Sequence, residues 1–529
     1  MKRGYFLGCN SNIWATSINN LTQQGIKFDY VSGIPEALDQ LTIEETATKH
    51  HVRDLERGIL PTEINESDFP ALDEKILSLY RDIELTCFDM ADRMDTGYTF
   101  SYQERLRHYL KMLAFWLYKI EVSKPDFIVF QQTPHSVDSF ILLGICRQNN
   151  IPTISFLPIT PLELVIPLTD FQLGLKQVQK LYLNYSEKTY LKAKKNMPEY
   201  LEEYLGKLSR SYAEAIPPYL AQRLEHAQSL EVKNKYFNPL RILRKLRNPK
   251  NYGEYSLRLF KLLLEKSQRT TTPHAPENNL KKAGEPLEKS RLTGKEWIQY
   301  KQQAAQFKLS LKATYDSYCS KFNADTPYIY VALHYQPERT STPEGGRFTN
   351  QLLMVKMLAK HLPKGWKIII KENPTQLLPY TLHGERGRYH YFYDDLLRIP
   401  CVEFVKIETP QFELIDSAKA VATISGTTGW ESCVRGVPVL IFGEAWYKGC
   451  EGIFYCGENG ECREAIETIS NDFEIDIKKV YYFLFCLYQS GFRGYLNPKR
   501  YKDPIKAENS DIHHAITKML SVHILGSNS

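Results

Sequence analysis

Residues 420–442, AVATISGTTGWESCVRGVPVLIF, decide the fold, because two apolar runs flank a polar turn and a helix-forming segment. The runs at 420–424 and 437–442 predict two buried strands, and the residues between them up to Arg435 predict a helix. A strand, a crossover helix and a second strand form the repeating unit of a parallel sheet. This stretch therefore places the C-terminal half of the chain in the α/β class.

Further apolar runs extend the same pattern along the chain. Strands are predicted at 125–130, 153–158, 327–333, 366–370 and 402–405. The first thirty residues also alternate strand, helix and strand. We therefore predict two Rossmann-like domains, residues 1–175 and 295–529, separated by a helical, basic insertion and linker at 176–294.

The composition is that of a folded globular protein. The 529 residues are 43% hydrophobic and 24% charged, with a net charge of +6. No apolar stretch of signal-peptide length begins the chain, and the run at 480–488 is roughly half of a membrane span. The ten cysteines are scattered, and the spacing of Cys450, Cys456 and Cys462 matches no common zinc pattern. We expect a cytoplasmic protein with reduced thiols and no metal site.

Positive charge is concentrated between residues 233 and 269, where eleven Lys or Arg residues face two acidic residues, Glu254 and Glu265. Leucines alternate with the basic residues, so the pattern predicts a basic amphipathic helix that could lie on an anionic membrane surface. The alternative is a solvated helical face that covers the core. No nucleic-acid-binding motif accompanies the charge, so nucleic acid is not an expected partner.

Three polar loops each follow a predicted strand of the second domain. They are HYQPERTSTPEGGR at 334–347, KENP at 371–374 and SGTTGWES at 425–432. In open parallel sheets, ligands bind at the carboxyl ends of strands. The three loops are therefore expected to lie close together at one binding edge.

The third loop has the clearest chemical interpretation. Ser425, Gly426, Thr427 and Thr428 can present backbone N–H groups and hydroxyls at a helix N-terminus, which suits a phosphate. Lys371 at the neighbouring strand end could neutralise that phosphate, and Glu431 in the first helical turn could accept a hydrogen bond from a sugar or ribose hydroxyl. The alternative is an ordinary helix N-cap.

Several common nucleotide-binding and hydrolase motifs are absent from the sequence. It contains no GxxxxGK[ST] loop and no GxGxxG between a strand and a helix. It also lacks the GxSxG turn of serine hydrolases. A phosphate site in this chain must therefore be of another kind.

Together the three loops resemble those of the bacterial capsular polysaccharide biosynthesis proteins, the family that includes capsule transferases for 3-deoxy-manno-octulosonic acid. The resemblance covers roughly residues 328–455 and is specific in the order, spacing and content of the loops; PDFIVFQQTPH at 125–135 is a looser likeness. It implies a GT-B-like glycosyltransferase, with two Rossmann-like domains facing across a cleft and the nucleotide-sugar donor held mainly by the C-terminal one.

The resemblance also implies roles for individual residues. Residues at the nucleotide and its phosphates would be Lys371, Glu372, Ser425, Thr427 and Thr428, and residues shaping the donor pocket would be His334, Gln336, Glu338, Gly345 and Gly346. The family commonly has His where this chain has Asn373. Asn donates a hydrogen bond but carries no charge, so a CMP-sugar donor and full activity both stay open.

Transfer of a sugar also needs a group that activates the acceptor hydroxyl. His135 and Asp138, in the loop after the 125–130 strand, are candidates on the N-terminal side, and Glu338 is a candidate on the C-terminal side. Asp138 could instead cap a helix, and Glu338 could instead pair with Arg339 or Arg347.

The sequence therefore predicts a metal-independent glycosyltransferase that uses a nucleotide sugar as substrate and needs no cofactor. The acceptor would be a surface or capsular polysaccharide or a lipid-linked glycan, which suits a peripheral position at the inner face of the membrane. Three alternatives share the same fold and stay open. They are a polyol-phosphate transferase, a nucleotide-sugar epimerase and a non-catalytic polysaccharide-assembly factor.

Overall fold

Two separate β-sheets organise the chain in the computed structural model, which describes residues 1–95, 97, 99–210, 294–379, 383–497 and 508–526. The strands are β1 Arg3–Cys9, β2 Lys27–Gly33, β3 Thr48–His51, β4 Phe127–Phe130, β5 Thr153–Ile159, β6 Leu164–Leu168, β7 Tyr328–Ala332, β8 Lys367–Lys371, β9 Val402–Phe404, β10 Ala420–Thr423, β11 Val439–Ile441, β12 Ile453–Tyr455 and β13 Phe492–Arg493. Every strand predicted above has a counterpart among them.

Helices alternate with most of these strands. They are α1 Asn12–Gln23, α2 Pro35–Leu38, α3 Val52–Arg57, α4 Glu74–Leu79, α5 Arg81–Met94, α6 Tyr102–Ser123, α7 Val137–Gln148, α8 Lys176–Tyr182, α9 Glu187–Asn196, α10 Glu199–Arg210, α11 Gly294–Tyr318, α12 Gln351–His361, α13 Phe392–Leu397, α14 Gln411–Asp416, α15 Thr427–Val434, α16 Asn459–Ser470, α17 Ile477–Ser490 and α18 Asn509–Leu525. Local chemistry fixes several helix starts; for example, Ser101 and Glu104 form a capping box at α6.

The first sheet has the strand order β13-β6-β5-β4-β1-β2-β3. Its strands β3, β2, β1, β4 and β5 run parallel, and β6 pairs antiparallel with β5. The second sheet has the order β12-β11-β10-β7-β8-β9, and all of its pairs are parallel. The prediction of two Rossmann-like α/β domains is confirmed.

The end of the chain returns to the first sheet, which corrects the predicted C-terminal domain of residues 295–529. Strand β13 pairs with β6, and helix α18 packs against α1. Helix α17 packs against α8, α9 and β6, where Tyr482 stacks on Tyr182 with ring centroids 6.1 Å apart. The apolar run at 480–488 is therefore a core helix that covers apolar side chains from both halves of the chain.

Burial links the two domains. The largest cluster of buried apolar side chains contains residues of both sheets, such as Tyr30 of β2 and Tyr330 of β7. Trp430 belongs to this cluster and is fully buried against Trp446, at a ring-centroid distance of 4.9 Å. The two sheets therefore share a continuous apolar contact.

The basic segment at 233–269 lies outside the described residues, as do residues 211–293 of the predicted insertion and linker. In the parts of the chain that the structure describes, no helix is both long and apolar enough to cross a membrane.

Candidate active site

A cavity of about 630 Å³ lies between the two domains. On the N-terminal side, its lining residues follow the carboxyl ends of β1, β4 and β5, and on the other side they follow β7, β8 and β10. Two parallel sheets therefore direct their binding edges into one space. The polar residues that line the cavity include Arg93, His135, His334, Glu338, Arg339, Glu344, Asn373, Gln411, Ser425, Thr427, Thr428 and Glu431.

The turn at 425–428 forms one wall of this cavity. The Ser425 hydroxyl donates to the carbonyl oxygen of Thr340 at 2.9 Å, and the Tyr447 hydroxyl donates to the carbonyl oxygen of Gly426 at 2.6 Å. A Cβ at Gly429 would lie 2.3 Å from the Tyr447 Oη atom, so this position has room for glycine alone. The first N–H groups of α15 are thereby held at the cavity, where a helix has no intrahelical acceptors for them.

His334 fixes the same turn from below. The Ser425 N–H donates to His334 Nε2 at 3.2 Å, so the ring proton is on Nδ1. Burial and the neighbouring Arg388 guanidinium lower the pKa of His334 to about 4. The imidazole is therefore neutral at physiological pH and acts as a hydrogen-bond acceptor that shapes the turn.

Gln336 and Glu372 do not line the cavity; they belong to a buried network beneath it. Arg388 donates to Glu372 Oε2 through Nε at 2.7 Å and to Gln336 Oε1 through Nη1 at 2.8 Å. Tyr393 donates to Glu372 Oε2 at 2.7 Å. The side chains of Arg388 and Glu372 are completely buried. The network holds the loops in place and leaves neither Gln336 nor Glu372 free to contact a nucleotide.

Gly345 and Gly346 are also absent from the cavity lining. A Cβ at Gly345 would lie 2.4 Å from the carbonyl oxygen of Ser341, and Gly346 has a φ of +51°. These glycines are needed by the backbone of the loop, which turns tightly on itself. The sequence-based expectation that they shape the donor pocket directly is not what the structure shows.

Lys371 is absent from the cavity lining. Its Nζ atom donates to the carbonyl oxygen of Thr409 at 2.6 Å, and the residue is 6% exposed. Burial lowers the pKa of Lys371 to about 8, while Glu408 and Glu431 oppose that shift. The ammonium group that was expected to bind the phosphate is thus hydrogen-bonded to the backbone of the second domain.

Asn373 does line the cavity. Its Oδ1 atom accepts hydrogen bonds from the Thr375 N–H at 3.0 Å and from the Thr375 hydroxyl at 2.8 Å. This Asx turn fixes the KENP loop. The amide NH₂ group is then the part of Asn373 that can donate to a ligand.

Glu431 lies at the cavity wall on the first turns of α15. Gln411 donates to Glu431 Oε2 at 2.6 Å. Burial raises the pKa of Glu431 to about 7, although Thr427 and Gln411 favour the carboxylate by hydrogen bonding. A carboxyl group in this state can either accept from or donate to a hydroxyl near neutral pH.

We expect Glu431→Gln to stabilise the protein at pH 8 by about 1–3 kcal/mol and to change its stability little at pH 5. The raised pKa means that the folded state binds a proton more tightly than the unfolded state, so the wild type loses stability as pH rises from 4.5 towards 7. Gln has no proton to lose. Thermal unfolding at both pH values measures the difference, with Glu403→Gln at the exposed edge of β9 as the control. An equal effect of Glu431→Gln at both pH values would contradict the assignment.

His135 and Glu338 face the cavity from opposite domains. The His135 Nδ1–H donates to the carbonyl oxygen of Thr133 at 2.8 Å, which leaves Nε2 as the acceptor. Burial and the neighbouring Arg93 lower the pKa of His135 to about 3. The Glu338 carboxylate accepts a hydrogen bond from the Thr340 hydroxyl at 3.3 Å and attracts the Arg93 guanidinium electrostatically.

Asp138 is not part of the cavity lining. It is 3% exposed in the first turn of α7, and burial together with Glu56 raises its pKa to about 7. The capping alternative does not describe Asp138 either, because Ser136 is the N-cap residue of α7 and Asp138 Oδ1 is buried without a hydrogen-bond partner among the described residues. Of the two arginines considered as alternative partners of Glu338, Arg339 pairs instead with Glu344 at 3.2 Å.

Arg93, Asn10 and Gln411 line the cavity but were not expected there. Arg93 lies in the last turn of α5, far in sequence from any strand end. A search limited to strand-end loops cannot find such a residue. Asn10 directly follows β1, so the same rule applied to the first strand would have found it.

Comparisons with known proteins support the resemblance predicted from the loops. Residues 339–472 match the family model described as capsule polysaccharide biosynthesis protein. This range contains two of the three loops and most of the first. No curated protein sequence matches the chain.

Among solved structures, the chain is similar to Thermosulfurimonas dismutans KpsC, a beta Kdo 2,7 transferase, with 14% identity over 35% of this chain and 52% of that chain and a TM-score of 0.22. It is also similar to a UDP-GlcNAc 2-epimerase from Methanocaldococcus jannaschii, with 13% identity over 91% and 98% of the two chains and a TM-score of 0.23. It is also similar to Anabaena Alr3699/HepE in complex with UDP and glucose, with 16% identity over 41% of this chain and 52% of that chain and a TM-score of 0.22. The match thus spans about half the length of KpsC and of HepE, and these TM-scores are too low to transfer a function.

Proposed function

We propose that this chain, whose residues 339–472 match the capsule polysaccharide biosynthesis family, transfers a sugar from a nucleotide donor to a growing surface polysaccharide or glycolipid. The observation that supports this most is the convergence of two parallel sheets on one polar cavity, with the matched loops forming its C-terminal wall. Such a cavity has the size of a small-molecule binding site, with one wall from each domain.

The donor would lie against the C-terminal domain. The N–H groups at the start of α15 and the Thr427 and Thr428 hydroxyls suit a phosphate, and both threonines line the cavity. Asn373 and Glu431 line the same cavity, and in this proposal the Asn373 amide group and the Glu431 carboxyl group would contact hydroxyls of the sugar or the nucleoside. No resident cofactor is needed in this scheme, and a CMP-sugar is one of the candidate donors.

The acceptor would lie against the N-terminal domain, near His135. Its hydroxyl oxygen forms a bond to the anomeric carbon of the donor while the bond from that carbon to the phosphate oxygen breaks, and the phosphate keeps the electron pair. We assign Glu338 as the base that takes the hydroxyl proton. His135 is a poor base because its pKa is about 3, but its Nε2 atom, which lies 3.5 Å from the side-chain nitrogen of Gln132, can accept a hydrogen bond from the hydroxyl and orient it.

The test is a binding and turnover screen. CMP, UDP, CDP, GDP and their common sugar conjugates are added to the purified chain, and a ligand that binds the native state raises the unfolding temperature. We expect a selective rise with one nucleotide class, and release of that nucleotide from its sugar conjugate when an oligosaccharide acceptor is present. Binding without turnover over any acceptor would instead support a non-catalytic assembly factor. The cytoplasmic and membrane-peripheral location stays a prediction.

A further inference from the structure

We propose that Arg93 and Arg339, one from each domain, together bind the phosphate of the donor nucleotide. The inference rests on the proposed function and adds the charged partners of the phosphate. It also identifies a contribution of the N-terminal domain to donor binding, which the sequence assigned mainly to the C-terminal domain.

Arg93 and Arg339 supply the positive charge of the cavity. Among the described residues that line the cavity, Arg93 and Arg339 are the members that are lysine or arginine. The predicted cation, Lys371, donates to Thr409 instead. The lining histidines are neutral at physiological pH, because the pKa of His135 is about 3 and that of His334 is about 4. A phosphate in the cavity therefore has these two guanidinium groups available as cationic partners.

Among the residues that the structure describes, no carboxylate forms an ion pair with Arg93. Its Nη2 atom donates to the carbonyl oxygen of His135 at 2.5 Å, and this carbonyl oxygen is the hydrogen-bond acceptor that the Arg93 guanidinium has among the described residues. Burial and repulsion from Arg339 lower the pKa of Arg93 to about 10. Arg93 is half-buried, and a cation that is partly withdrawn from water and held by a neutral carbonyl is stabilised when an anion joins it. The geometry thus suits a guanidinium group that binds an anionic ligand in the cavity.

Arg339 faces the same space from the loop after β7. Its Nε atom pairs with Glu344 Oε1 at 3.2 Å, and the side chain is 21% exposed. Glu338 and Glu344 also act electrostatically on Arg93, so two carboxyl groups accompany the two guanidinium groups. An oxyanion placed between Arg93 and Arg339 would relieve their mutual repulsion and accept hydrogen bonds from both.

The elements that carry these residues face each other. Asp89, one turn before Arg93 on α5, is attracted electrostatically to Arg347 at the end of the same loop. Helix α5 and the loop at 338–347 therefore form one wall built from both domains. A phosphate bound there would connect the domains directly.

Calorimetric titration of the full chain tests the inference with five probes, namely CMP, UDP, cytidine, uridine and pyrophosphate. Arg93→Gln removes the charge but keeps a donor for the His135 carbonyl, and Arg93→Lys keeps the charge. We expect Arg93→Gln to weaken binding of CMP or UDP and of pyrophosphate about 10- to 100-fold, as for loss of a charged hydrogen bond, and to leave nucleoside binding within about twofold. Arg93→Lys should recover part of the loss. Arg398→Gln, on the exposed surface after α13, is the charge-matched control.

The possible outcomes separate this inference from the proposed function. Unchanged nucleotide and pyrophosphate binding in Arg93→Gln would overturn the inference and leave the function standing. Equal weakening of nucleoside and nucleotide would also overturn it, because Arg93 would then act through the fold or the base. Pyrophosphate binding that depends on Arg93, without nucleotide binding, would keep the oxyanion site and overturn the function. Failure of the wild type to bind any probe would overturn both.

Discussion

Arg388→Met is expected to destabilise the protein by about 3–5 kcal/mol, the usual cost of breaking a buried ion pair by removing one partner. The variant leaves the Glu372 carboxylate buried without its cation. It also removes the donor to the carbonyl oxygen of His334, which Arg388 Nη2 contacts at 2.9 Å. Because His334 holds the turn at Ser425, loss of the network should also loosen the cavity wall.

Urea and thermal unfolding measure this effect. Arg398→Met is the matched control, because Arg398 has a side chain 77% exposed and pairs with Asp395 at the surface, where ion pairs contribute about 0–1 kcal/mol. Replacing both Arg388 and Glu372 with Met should recover part of the loss, since no unpaired charge then stays buried. A change below about 0.5 kcal/mol for Arg388→Met would show that the network does not hold the loops.

Glu338→Gln is expected to lower turnover of the nucleotide sugar at least about 100-fold while nucleotide affinity changes little. Gln has nearly the shape of Glu and can still accept a hydrogen bond, but it cannot take the proton of the acceptor hydroxyl, and a positioned base contributes about 10²–10⁴-fold. Nucleotide release with acceptor present gives the turnover, and calorimetry gives the affinity.

Two further variants make this result specific. Glu403→Gln, at the exposed edge of β9 where Glu403 pairs with Lys367, should leave turnover at the wild-type level. His135→Asn should lower turnover less than Glu338→Gln, because it removes an orienting acceptor and not the base. The reverse order of the two effects would transfer the role of base from Glu338 to His135.

The sequence was sufficient for the fold class, though not for the return of the chain's end to the first sheet, because each buried strand of a parallel sheet is a short apolar run that stands out from its surroundings. The turn at 425–428 was also predictable, since a strand followed by Ser, Gly and Thr before a helix leaves few other arrangements. The presence of His334, Asn373 and Glu431 in the cavity lining was predictable in the same way, because each lies shortly after the carboxyl end of a strand.

The direction of individual side chains was not predictable in the same way. Lys371 ends β8, and a strand directs neighbouring side chains to opposite faces, so being at the strand end does not decide whether the side chain enters the cavity. Gln336 and Glu372 instead accept hydrogen bonds from Arg388, a residue well outside the three polar loops. Arg93 depends on how α5 packs across the cleft, which no local pattern encodes.

The central claim is that the cavity between the two domains is the nucleotide-sugar site, and a crystal structure of the chain with the nucleotide that raises its unfolding temperature most tests this directly. The account predicts the phosphate within hydrogen-bond distance of the N–H groups of Thr427 and Thr428, with the sugar end of the ligand towards Glu338 and His135. A nucleotide bound outside this cavity, with the cavity unchanged from the free protein, would contradict it.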